Sequence, residues 1–170
     1  MTYKTFIAGV ALAAAVVAIP YAQMSDQAFV TKLAGVGMTE VELGKLAKDK
    51  ASNGDVKGFA QRMIDDHGKA NDELKALAQR KNFTLPTALP AESVAEKDKL
   101  SKLNGHAFDE AYIAAMAKGH RELLPVVKGH AQTGADAELK AWAMKVSSSV
   151  EAHMTHAEKV QREIGKTATH

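Results

Sequence analysis

The residues Val56, Ala60, Met63, His67, Ala70, Leu74 and Leu77 recur at alternating steps of four and three, the spacing that draws one stripe along a helix buried in a bundle. The arithmetic returns in Asp109, Ile113, Met116, His120, Leu123, Val127 and His130, and in Leu139, Trp142, Val146, Ser149, His153, His156 and Val160. Three such stripes restrict the chain to an all-α fold. A further helix precedes them, capped by Ser25 or Asp26, with Phe29, Leu33, Val36, Leu43 and Ala47 on one face and Glu40 and Glu42 on its flanks. The turn Ser52-Asn53-Gly54-Asp55 makes the first two helices antiparallel.

Between Asn82 and Asp98 the helical pattern stops and Pro86 and Pro90 intervene. At roughly 3.3 Å per residue this segment can run the length of a bundle, whereas a simple reversal needs only about 2 to 8 residues. The expectation is a ferritin-like four-helix bundle over residues 23–165, with a long crossover between helices two and three. The third helix is expected from about Lys99 to Ala131, kinked or broken at Pro125, and Gln132-Thr133-Gly134 leads into the fourth. At about 1.5 Å rise per residue, the crossing form puts Glu40, His67, Asp109 and His153 in one layer, with His156 a turn nearer the end. An up-and-down meander would put His120 there in place of Asp109 and His153.

Four of the seven histidines, His67, His120, His153 and His156, lie within the stripes, and His130 closes one of them near a helix end, whereas a solvated surface would scatter them. Imidazole and carboxylate pointing into a bundle are how helical domains hold iron, manganese or zinc. The expected ligands are Glu40, His67, Asp109, His153 and His156. The competing reading is a structural or interaction module of the cell envelope, its inward histidines neutral and hydrogen-bonded in a polar seam that fixes helix register. No glycine-rich phosphate loop or Gly-x-Ser-x-Gly elbow is present, so no enzymatic centre is expected. A net charge of +2 gives no basic footprint for nucleic acid, and without cysteine there is no thiolate site and no obstacle to an oxidising compartment. Lys4, the apolar run Phe6 to Ile19 and Ala22 read as a signal peptide over residues 1–22, too short to span a membrane comfortably. That places the mature chain in the periplasm or envelope, in peripheral association with it. Residues 166–170 are expected to form a frayed tail.

The segments TEVELGKLA, FAQRMIDDHGKANDELKALA, FDEAYIAAM and KGHRELL together resemble a bacterial domain-of-unknown-function family, number 4142, of outer-membrane or periplasmic ferritin-like bundles. The resemblance covers nearly all of the mature chain and implies a ferritin-like bundle and an exported location; the expected role in metal handling or envelope stress protection rests on the inward histidines and acids. It places the family's polar positions on Glu40, Asp66-His67, Phe108, Asp109, Tyr112, His120 and His153. Gly119 stands where the family often has an acid, and Val146-Ser147 replaces its Leu-Pro. The Glu-x-x-His pairs of di-iron ferritins are absent, with Ile64 and Val150 in the glutamate positions.

Overall fold

The computed structural model describes residues 24–167. The leader expected over residues 1–22 and the last residues of the expected tail lie outside them. The described residues form five helices and no strand: α1 (Asp26–Lys50), α2 (Gly54–Lys81), α3 (Ala91–Ser101), α4 (Gly105–Thr133) and α5 (Ala137–Thr167). Four are long, of 25, 28, 29 and 31 residues, and the fifth, α3, has 11.

The first two helices start where their caps dictate. Ser25 accepts from the Ala28 amide at the head of α1, and Asn53 from Asp55 and Val56 at the head of α2. The left-handed Asn82 ends α2 with its amide on the Ala78 carbonyl. Close packing within the first hairpin needs glycine: a Cβ on Gly44 would lie 2.9 Å from Ile64 Cγ1 and 3.0 Å from the Ala60 carbonyl oxygen. Gly44→Ala should therefore force α1 and α2 apart and lower stability by about 1–3 kcal/mol. Denaturant unfolding checks this, and an unchanged midpoint would show that the hairpin gives freely.

The connection after α2 crosses the molecule. Gln27, in the first turn of α1, exchanges hydrogen bonds with the backbone of Thr84, just past α2. Lys50, the last residue of α1, bonds Leu103 and Asn104 just before α4. Residues 84 to 103 thus travel from one end of α1 to the other. The crossing segment, read from sequence as a continuous connection leading into a helix at Lys99, contains α3, so five helices stand where four were expected. Only Leu100 of α3 is buried, because it lies along the outside of α1, where Thr39 bonds Ser93 and Lys97 bonds Glu42. A helix with a polar circumference leaves no stripe to read. At Pro125, where a kink or break was expected, the helical assignment of α4 runs on, with the proline ring exposed.

The two hairpins are stitched together reciprocally at their turns. Asp109, at the head of α4, accepts from the Ser52 amide and hydroxyl and the Asn53 amide at the α1–α2 turn. Asp26, at the head of α1, accepts from the Ala135 and Asp136 amides at the α4–α5 turn, with His130 3.1 Å away and stacked on Phe29 at 3.8 Å. These pairs fix α1 antiparallel to α4. Glu73–Lys145 and Arg80–Glu138 do the same for α2 and α5.

Candidate metal centre

The apolar interior comes in two clusters. One gathers Leu43, Val56, Phe59, Met63, Phe108, Tyr112, Met116 and Ala157 toward the α1–α2 turn. The other gathers Phe29, Leu33, Leu74, Leu123, Trp142 and Val150 toward the α4–α5 turn. On every long helix one buried polar residue sits between them: Glu40 on α1, His67 on α2, His120 on α4 and His153 on α5, all at most 7% exposed. The register agrees, since His153 meets Asp66 directly and a Cβ on Gly119 would lie 3.9 Å from Glu40 Oε1.

Three of these residues converge. One ring nitrogen from each of His67, His120 and His153 lies within 4.8 Å of the others, and the ring centroids are 5.2–5.6 Å apart. Hydrogen bonds orient two of the rings. His120 Nδ1–H donates to the Met116 carbonyl at 2.9 Å, which leaves its Nε2 as a bare lone pair. His153 Nε2–H donates to Asp66 at 2.7 Å, which leaves its Nδ1 bare. Those two atoms and His67 Nε2 are buried without a hydrogen-bond partner. Three imidazoles drawn together, each with a buried, partnerless nitrogen and two held from behind by a carbonyl and a carboxylate, supply the donor types that a metal site uses. A tetrahedral ion bound at about 2.0–2.1 Å would draw the nitrogens to about 3.3 Å of one another.

The electrostatics keep these imidazoles neutral, the form in which a histidine can accept a metal ion. Burial, reinforced by the neighbouring imidazoles, pushes His67 down to about 3, and burial pushes His120 down to about 4. Burial also lowers His153, more than Asp66 raises it. All three are neutral at pH 7. Glu40 is pushed the other way by burial, up to about 8, so at pH 7 it is mostly protonated, and its Oε2 has no partner. An opening of about 140 Å³ between α2 and α5 reaches His67 and His153 from solvent past Asp66, Glu73 and Lys145.

A pH optimum follows for the metal-free protein. In the unfolded chain the histidines take protons below about 6.5, while the folded His67 and His120 stay neutral down to about 3 and 4. They contribute stability that is present above pH 6.5 and lost as pH falls. Glu40 contributes stability present below 4.5 and lost as pH rises through about 8. Near pH 5.5 the two histidine protons exceed the one on Glu40 by about one, so these groups make stability fall on acidification by about 1.4 kcal/mol per pH unit there. Above 6.5 only the Glu40 contribution declines. Because burial lowers His153, His130 and His156 as well, melting curves of chelator-treated protein from pH 5 to 9 should peak between about 6.5 and 8, and a melting temperature still rising toward pH 5 would mean that the imidazoles are hydrated.

The expected layer is corrected in one member. Glu40, His67 and His153 share it, but Asp109 does not: its fully buried carboxylate is taken up by Ser52 and Asn53 at the end of the bundle. The cause is the helix start. The third long helix begins at Gly105, not Lys99, a displacement of roughly 9 Å at 1.5 Å per residue. That brings His120 into the layer. His156 lies outside the triad, half-buried and edge-on to Phe59 at 5.3 Å. Asp66 serves behind the triad, and the sequence signal for it was its place beside His67.

The fold and buried imidazole layer define an all-helical protein with a candidate metal centre at its middle. The family described as "Domain of unknown function (DUF4142)" matches residues 11–160, and the chain belongs to it. No curated protein matches the sequence. Among solved structures, a DUF305 protein from Streptomyces coelicolor, described as secreted, is similar at a TM-score of 0.69 and 18% identity, covering 83% of this chain and 94% of that one. At that identity the likeness bears on the fold alone.

Proposed function

We propose that this chain is an exported, ferritin-like helical bundle that holds one divalent transition-metal ion on His67, His120 and His153 and serves metal handling in the cell envelope. The observation that carries the reading is the set of three partnerless, buried imidazole nitrogens converging from three helices. A buried lone pair with no donor costs free energy, so three at one point need a compensating ligand. All-imidazole donors suit zinc, copper or iron better than manganese, which favours oxygen. With no cysteine in the chain, no thiolate competes. Three protein ligands leave the ion a fourth position, open to water or to the Glu40 side of the layer.

Export is supported by the leader-like segment and by the description of the Streptomyces coelicolor protein as secreted; none of the described helices is long and apolar enough to cross a membrane. The site is tested by elemental analysis of natively purified protein and by cobalt(II) titration. One equivalent of metal and a visible tetrahedral cobalt spectrum, both lost in His120→Ala, are expected. Protein that retains no metal and gives no cobalt band would overturn the reading.

A further inference from the structure

A second opening approaches the polar layer from the opposite side. Between α1 and α4, beside Pro90 at the head of α3, lies a groove of about 860 Å³, within the size range of small-molecule sites. Its walls include Val36, Leu123 and Val126, and Glu40 and Gly119 also line it. The titratable residues facing it are Lys32 from α1, Glu92 from α3, and Glu40 and Glu122 from α1 and α4, so acidic side chains outnumber the basic one three to one. Glu40 is 6% exposed, and its Oε2 has no hydrogen-bond partner. Oε2 is shut inside the layer, whereas Oε1, beside the groove-lining Gly119, makes no hydrogen bond and is the oxygen that a donor in the groove can reach.

We propose that the groove between α1 and α4 binds a small organic ammonium ion, its charged head on Glu40 and its hydrocarbon body between Val36, Leu123 and Val126. Glu40, mostly protonated at pH 7 in the empty groove, gives up its proton to solvent when an ammonium group brings three donors and a full charge beside it. The apolar walls match an alkyl chain and not a bare ion, since a hard cation wants several oxygen ligands and the floor supplies one carboxyl. An anionic ligand would meet three acids and only Lys32 in its favour. This site does not depend on the imidazole triad: its mouth opens on the α1–α4 face, whereas the triad is reached between α2 and α5.

The test uses chelator-treated, full-length protein and three probes of equal length: n-hexylammonium, n-hexanol and n-hexanoate, followed by calorimetry. Hexylammonium should bind at least tenfold more tightly than hexanol, and hexanoate should not bind. Glu40→Gln should lower the ammonium affinity tenfold or more, and Val36→Trp, which fills the groove from its wall, should abolish it if the glutamine variant does not fold. His67→Leu should leave the affinity within twofold, which separates this site from the metal reading. Equal binding of the alcohol and the ammonium, undiminished binding by Glu40→Gln or Val36→Trp, or no binding of any probe would overturn the proposal.

Discussion

Replacing His67 by leucine is expected to abolish stabilisation by zinc while leaving the metal-free protein as stable as the wild type, or up to about 2 kcal/mol more stable. The opposite signs follow from the same atoms. His67 makes no hydrogen bond, its Nε2 is buried, and its ring lies beside those of His120 and His153. Leucine is close to imidazole in volume and has nothing to desolvate, so exchange of an unsatisfied buried group for an apolar one recovers part of a penalty of about 1–3 kcal/mol. With metal the ledger reverses. An ion that binds only the folded protein adds about 2.7 kcal/mol at a hundred times its dissociation constant, worth roughly 5–10 °C for a chain of this size. Wild-type and variant melts, each with chelator and with zinc, measure both terms. A variant that is markedly less stable than wild type under chelator would make His67 a structural residue, and an undiminished zinc shift would remove it from the site.

The layer was legible in sequence to the extent that helix periodicity and helix ends could be read. The stripe through Met63, His67 and Ala70 placed His67 inside, and the buried ring at 7% exposure agrees. Glu40 and His153 were placed level with it by counting rises from turns, and those turns carry strong local signals in Asn53 and Gly134. The count failed where the signal failed. Between Ser101 and Gly105 the chain breaks its helix at Lys102-Leu103-Asn104, and the left-handed Gly105, at φ 57°, starts α4, a glycine that in sequence looks like any other in an alanine-rich stretch. Six residues of error exchanged Asp109 for His120. The hydrogen bonds that aim the triad, from His120 to Met116 and from His153 to Asp66, join residues whose relation depends on tertiary register, and α3 escaped because its one buried side chain makes no stripe.

Asp109→Ala is expected to destabilise the protein by about 3 kcal/mol and to leave its metal content unchanged. The carboxylate is fully buried and accepts from the Ser52 amide at 3.1 Å, the Asn53 amide at 2.9 Å and the Ser52 hydroxyl. Alanine strands three donors at a turn, each worth about 1 kcal/mol net, and leaves a small void beside Phe108 and Tyr112 in the apolar cluster. Asparagine keeps the shape and one acceptor oxygen but loses the charge that strengthens these bonds, so Asp109→Asn should fall between alanine and wild type. The damage should also be local to the first hairpin's turn. Amides of Ser52 and Asn53 and the first turn of α2 should exchange with solvent faster, while those around Asp26 and Asp136 keep their protection, because the second stitch lies at the other end of the bundle. Hydrogen exchange and denaturant unfolding, run beside metal analysis, separate the roles. A variant of wild-type stability would show that the Ser52 turn holds without its carboxylate, and a variant that keeps its fold but loses its metal would return Asp109 to the ligand set.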